Sequence, residues 1–217
     1  MMLWAPTICI SRILYIRDLR SAPDMDQLRL YTARYRPEEL DKLTRSSRFT
    51  RKEIQFMYRG FKQECPSGLV DEAAFKLIFS QYFPQGDANQ YAHYVFNTLR
   101  PNQCGQINFE DFLHALSRVS RGTTDEKVRW VFDLYDLDGD GLITKHEMQL
   151  VVTAIYDMLG RQVVPRIDPN AARSHVDTIF HQMDADRDGL VTLEEMRRWC
   201  GRDPDFLRSL HMLDTVL

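Results

Sequence analysis

Two twelve-residue stretches of this 217-residue chain carry recognisable chemistry: residues 136–147, DLDGDGLITKHE, and residues 184–195, DADRDGLVTLEE. Each sets carboxylates at positions 1, 3, 5 and 12, a hydroxyl at 9, and at 7 a residue whose main-chain carbonyl can turn inward. Such a donor set suits a hard cation that takes six to eight oxygens. In the first stretch the donors are Asp136, Asp138, Asp140, the Leu142 carbonyl, Thr144 or a water it holds, and bidentate Glu147. In the second they are Asp184, Asp186, Asp188, the Leu190 carbonyl, Thr192 and Glu195. Gly141 and Gly189 stand at position 6, where the chain must turn sharply. Glutamate at position 12 of both favours a seven-coordinate calcium shell over the smaller octahedron of magnesium.

Both stretches satisfy the EF-hand template D-x-[DN]-x-[DN]-G-x5-E, and an EF-hand loop needs a helix on either side. The spacing supplies them. Val128, Val131, Phe132 and Tyr135 precede the first loop, and Met148, Val151, Val152, Ile155 and Met158 follow it at intervals of three and four. Val176, Ile179, Phe180 and Met183 precede the second; Met196 and Trp199 follow. Ile143 and Val191, one place past the carbonyl donor, suit a short strand joining the two loops.

The same helix–loop–helix pattern recurs upstream around Gly68 and Gly105. Thr50 and Glu53 stand at capping-box spacing before Ile54, Met57, Tyr58 and Phe61. Asp87 and Gln90 stand likewise before Tyr91, Tyr94, Val95 and Leu99, and Phe112, Leu113, Leu116 and Val119 follow Gly105. These two loops have lost their donors. In 63–74, QECPSGLVDEAA, the ligand slots hold Gln63, Cys65 and Ser67, with Ala74 last. In 100–111, Arg100, Asn102, Cys104 and Asp111 sum to no net charge where a working loop carries four negatives. Arg for Asp beside a divalent ion changes the charge product by four, about 13 kcal/mol at about 5 Å and a dielectric near 20 as an upper bound. Sensor-class binding is worth only about 7–9.5 kcal/mol, so two calcium sites are expected, both C-terminal.

Bulk properties exclude other classes. Residues 1–60 carry 12 Lys/Arg against 7 Asp/Glu and the rest 16 against 24, an acidic body unsuited to nucleic acid. The four cysteines form no CxxC pair, and six histidines (His93, His114, His146, His175, His181, His211) form no triad with them, so no catalysis is expected. Charges at Arg12 and Arg17 break the apolar opening MMLWAPTICISRILYIRDLR well short of a bilayer span. That opening suits an interfacial helix on anionic membrane through residues 1–20, with Cys9 a candidate palmitoylation site, or else a disordered tail. At the other end, Asp203 and Pro204 open an amphipathic helix bearing Phe206, Leu207, Leu210, Leu213 and Val216. Two readings stay open: packing on the C-terminal lobe, or a lid over a partner groove.

The expected fold is all-α: four EF-hands paired into two lobes, with short loop-pairing strands and a C-terminal helix. The expected divisions are a variable segment 1–36, a lobe 37–122 with two degenerate hands, and a lobe 123–217 with two binding hands. On the phrases YRGFKQECPSGLVDE, FPQGDANQYAH, RGTTDEKVRWVFDLYD and TAIYDMLGR, the chain resembles the neuronal calcium sensor superfamily and, within it, the Kv channel-interacting proteins, over about residues 36–217. The resemblance implies a cytoplasmic calcium sensor, peripheral at the plasma membrane, that assembles with Shal-type potassium channels. It would grip the channel's cytoplasmic N-terminal helix in an apolar groove and modulate surface expression and gating. Groove candidates are Tyr58, Phe61, Phe75, Ile78, Phe79, Tyr82, Tyr94, Phe96, Phe112, Leu116, Trp130 and Tyr135, about half of them facing the partner. Regulation of a phosphatase or cyclase, or passive calcium buffering, are the alternatives. Arg100 and Cys104 depart from that family's second loop, which normally keeps several oxygen ligands.

Overall fold

The computed structural model describes residues 37–99, 105–160 and 169–212. The segment 1–36, with Cys9, lies outside them, as do Arg100, Asn102, Cys104, Leu213 and Val216. The fold is all-α. A first set of elements runs α1 (Pro37–Ser46), α2 (Arg51–Glu64), β1 (Leu69–Asp71), α3 (Glu72–Tyr82), α4 (Asn89–Leu99), β2 (Gln106–Asn108) and α5 (Phe109–Arg121). A second runs α6 (Thr124–Tyr135), β3 (Leu142–Thr144), α7 (Lys145–Leu159), α8 (Pro169–Met183), β4 (Leu190–Thr192), α9 (Leu193–Cys200) and α10 (Pro204–Met212).

Each set closes on a two-stranded antiparallel sheet made by its two loops. Val70 pairs with Ile107 in one and Ile143 with Val191 in the other. All four residues are buried, so each sheet plugs the floor of its lobe with an apolar pair. The turn glycines Gly68, Gly105, Gly141 and Gly189 all have φ between 70 and 88°, the left-handed region that a Cβ disfavours. The repeat seen in the sequence is therefore a repeat of backbone geometry.

Helix starts follow the capping chemistry. The Thr50–Glu53 box opens α2, and the same device opens α5 (Asn108–Asp111), α6 (Thr123–Glu126), α7 (Thr144–Glu147) and α9 (Thr192–Glu195). The expected box at Asp87 and Gln90 takes a different form. The Asp87 main-chain N–H donates to the Asp157 carbonyl at 2.9 Å and is not left for Gln90 to accept. The Asp87 carboxylate instead accepts from the Asn89 N–H at 2.9 Å, and α4 starts at Asn89.

The two sets pack into one continuous core. Trp130 of α6, fully buried, donates its indole N–H to the Thr98 hydroxyl of α4 at 3.1 Å. At the linker between α5 and α6 a reciprocal pair of ion contacts crosses over. Arg48 donates to both oxygens of Glu126, the glutamate of the α6 box, at 2.9 Å. Arg121 binds Glu53, the glutamate of the α2 box, and lies 4.7 Å from the centroid of the Phe49 ring. Helix α10 packs on α6 and α9, with Phe206 and Leu210 buried. Lys127, itself buried, donates to the Leu210 carbonyl at 3.2 Å. Of the two readings of the tail, the described part of the helix follows packing on the C-terminal set.

Candidate metal centre and apolar pocket

Position 1 of each C-terminal loop is the residue that ends the entering helix, and position 12 is the third residue of the exiting one. Asp136 is the C-cap of α6, and Glu147 is the N3 residue of α7. Two helix ends, fixed by core packing, therefore bring distant carboxylates together. Ligand-capable oxygens of Asp136, Asp138 and Glu147 lie within 4.8 Å of one another, as do those of Asp184, Asp186 and Glu195. Among the described residues these are the groups of three or more acidic or other metal-ligating side chains so arranged.

Main-chain N–H groups wrap each cluster and set its side chains. In the first loop Asp136 accepts from Gly139 N–H at 2.8 Å and Gly141 N–H at 3.0 Å. Glu147 accepts from Leu137 N–H at 3.0 Å through one oxygen, and from the Thr144 N–H and hydroxyl at 2.8 and 2.7 Å through the other. The second loop repeats this: Glu195 accepts from Ala185 N–H at 3.0 Å and from Thr192 N–H and hydroxyl at 2.9 and 2.8 Å. Asp140 and Asp188 accept from the N–H two residues on, Leu142 and Leu190, each at 2.8 Å. They stand in their loops but outside the tight clusters. Leu142, Thr144, Leu190 and Thr192 are strand residues paired across the sheet, Leu142 to Thr192 and Thr144 to Leu190.

The electrostatics of the clusters suit a cation. Burial pushes the Asp136 carboxyl upward, and Asp140 and Glu147 add to this, while the Gly141 and Gly139 N–H groups oppose it. Burial also acts upward on Glu147 and Glu195, but the threonine and main-chain hydrogen bonds outweigh it and hold both below the usual carboxylate range. One oxygen of Asp184, Oδ1, is buried with no hydrogen-bond partner. A buried carboxylate oxygen without a donor is costly unless a cation meets it. The residues present therefore fit a metal ion of the hard, oxygen-seeking kind. One difference separates the loops: at position 4, Gly139 has φ 75° where Arg187 takes φ 64°, and a non-glycine residue is strained there.

Residues 125–201 match the EF-hand domain pair family. That span runs from the first turn of α6 through α9 and contains both clusters, so the C-terminal lobe has the fold of a known cation-binding pair. The match supports a calcium-sensor relationship at the level of the superfamily.

The N-terminal hands keep the frame without the acids. In 63–74, Asp71 caps α3 through the Ala74 N–H at 2.8 Å, with no carboxylate at position 12 to answer it. The Lys62 ammonium donates to the Pro66 carbonyl, and Cys65 is buried. In the other loop, Asp111 is occupied as the box partner of Asn108. Burial raises the thiol pKa of Cys65 and pushes that of Cys200 up to about 12, and both are free thiols.

Instead the N-terminal lobe carries an apolar pocket of about 80 Å³, open to solvent. Phe61, Phe75, Ile78, Tyr82 and Phe112 line it, joined by Val70, Leu99 and Ile107, which the sequence had not singled out for this role. The other groove candidates sit elsewhere. Phe79, Phe96, Trp130 and Tyr135 are fully buried in the core, and Leu116 is 4% exposed. Tyr58 packs edge-on against Phe109 at 5.0 Å. Tyr94 lines a separate cleft between α4 and α7 with His146, Leu150 and Thr153. Helical spacing puts all these on apolar faces, but only the packing of neighbouring helices decides which part of a face stays open.

Proposed function

We propose that the protein is a calcium sensor with two Ca²⁺ sites, in loops 136–147 and 184–195, and that it acts as an auxiliary subunit of a Shal-type, A-type voltage-gated potassium channel. The observation that carries this reading is the division of labour between the lobes: acid clusters in one, an open apolar pocket in the other. An amphipathic helix laid into such a groove is a recurring mode of peptide recognition, with side chains at i, i+3, i+4 and i+7 as anchors. Pocket walls of phenylalanine, isoleucine and tyrosine suit bulky apolar anchors.

In this reading the ligand is the channel's cytoplasmic N-terminal helix, the assembly is an oligomer with the channel, and the protein resides in the cytoplasm, peripheral at the plasma membrane. Contact of residues 1–20 with anionic lipid would add a second attachment. Ion uptake would reorient the helices flanking the C-terminal loops and alter surface expression and gating through the bound channel segment.

Calorimetric titration of the full chain with a Shal-type channel N-terminal peptide, with and without calcium, tests this proposal. Saturable binding weakened by Ile78→Ala supports it. Absence of binding in both conditions, with two calcium sites still measured, removes the channel as partner.

A further inference from the structure

Helix α7 begins at one of the acid clusters and ends against the other lobe. Glu147 is in its first turn, and its 15 residues span about 22 Å. At the far end the backbone of α7 meets the α3–α4 linker without an intervening side chain. Asp87 N–H donates to the Asp157 carbonyl at 2.9 Å. A Cβ placed on Gly86 would overlap the carbonyl oxygens of both Asp157 and Met158, and one placed on Gly160 would overlap the Gln85 carbonyl. The two glycines therefore permit a direct contact of main chain with main chain, which cannot yield by a rotamer change as a side-chain contact can.

The linker held in this way joins two walls of the apolar pocket. Phe75, Ile78 and Tyr82 of α3 end just before it, and α4, which carries Leu99, begins just after it. Along its length α7 also packs against α4. A helix is stiff, so a shift of its first turn moves its last turn as well. A packed contact without side chains transmits that shift rather than absorbing it.

We propose that α7 is the element that couples occupancy of loop 136–147 to the shape of the N-terminal pocket, through the Gly86–Gly160 contact. The proposal rests on the reading of that loop as a calcium site. When the Glu147 carboxylate turns toward an ion, α7 moves with it, and the linker carries α3 and α4. Coupling of this kind is reciprocal: an occupant of the pocket changes calcium affinity by the same factor that calcium changes the occupant's. Among the described residues, the helix leaving loop 184–195, α9, packs chiefly on α6, α8, β4 and α10 of its own lobe.

The test is hydrogen exchange at residues 75–82 and 89–99 of the full chain, with and without calcium, alongside calorimetric calcium titration of the same samples. Wild type is expected to show a calcium-dependent change there, cut at least threefold by Gly86→Ala while calcium binding persists. Because Gly86→Ala can fail to fold, Glu147→Gln and Glu195→Gln are compared at calcium levels that load the remaining loop. The response disappears with Glu147→Gln and survives Glu195→Gln. Equal loss in both, or a full response in folded Gly86→Ala, overturns the coupling. Calcium binding to wild type without any response at 75–99 overturns it while leaving the calcium reading intact; absence of calcium binding overturns both.

Discussion

At position 12 the loops of the C-terminal lobe have Glu147 and Glu195, each held between a helix cap and an acid cluster; the same position in the N-terminal lobe is Ala74 or Asp111. Positions 1, 3 and 5 differ in the same way, with Gln63, Cys65 and Ser67 in one N-terminal loop and Arg100, Asn102 and Cys104 in the other, but the frame around them is shared. Both lobes have left-handed glycines at position 6, a buried apolar pair in the sheet, and an N-cap at position 9. The frame of a hand thus depends on turn, strand and cap, none of which requires an ion. Loss of the acids removes a binding site without removing the helices, and those helices are then free to shape an apolar pocket. In loop 63–74 the Lys62 ammonium reaches the Pro66 carbonyl, so a resident cation already serves a main-chain oxygen.

Glu147→Gln combined with Glu195→Gln should break the contrast most severely, abolishing both calcium transitions in calorimetry and with them the about 7–9.5 kcal/mol per site of sensor-class binding. A third transition in wild type would instead show that residues 100–111 bind as well.

Core and pocket can be separated within the N-terminal lobe. Phe79→Ala removes a fully buried ring and should cost about 3–5 kcal/mol in denaturant unfolding. Ile78→Ala on the pocket wall should cost about 1 kcal/mol or less in stability while weakening peptide binding roughly tenfold. If the two substitutions destabilise equally, Ile78 belongs to the core rather than to an open wall.

The Arg121–Glu53 contact at the α5–α6 linker predicts a pH effect. Arg121 beside Glu53, assisted by Thr50, holds that carboxyl below its ordinary value of 4.5 despite opposing burial. A depressed folded pKa stabilises above the unfolded value and is lost as pH falls through the folded one. Glu53→Gln should therefore cost about 1 kcal/mol at neutral pH, discounted for partial exposure, and nothing once the pH is below both values. Equal unfolding midpoints of wild type and variant at pH 7 would show that the contact contributes nothing.

The smallest effect distinguishes the two C-terminal loops. Arg187→Gly should relieve a left-handed arginine and stabilise the chain by up to about 1 kcal/mol, whereas Gly139→Ala should destabilise by a similar amount. Thermal melts of the two variants in the absence of calcium read this directly.

Much of the candidate site was legible in the amino-acid order. The donors from Asp136 to Glu147 and from Asp184 to Glu195 lie within twelve residues of one another, so local spacing alone brings them to one loop. Capping boxes are equally local: T-x-x-E at 144–147 and 192–195 has the spacing of one, a second role for residues read from the sequence only as calcium donors. The register Ile143 to Val191 followed from the repeat. Legibility failed where distant segments meet: which apolar residues among Phe61, Phe75, Phe79 and Phe96 face the pocket, and why Asp87 does not form a box with Gln90.

The sequence by itself therefore determined the four hands, the two loops equipped for a cation and the two that are not, because those properties depend on neighbours a few residues apart. Only the tertiary structure decided where the pocket opens, how α10 packs, and that Gly86 and Gly160 bring one lobe's backbone against the other's. Those depend on contacts between residues as much as 83 apart, as Lys127 and Leu210 are, and a helical apolar stripe looks the same in sequence whether a neighbouring helix covers it or leaves it open.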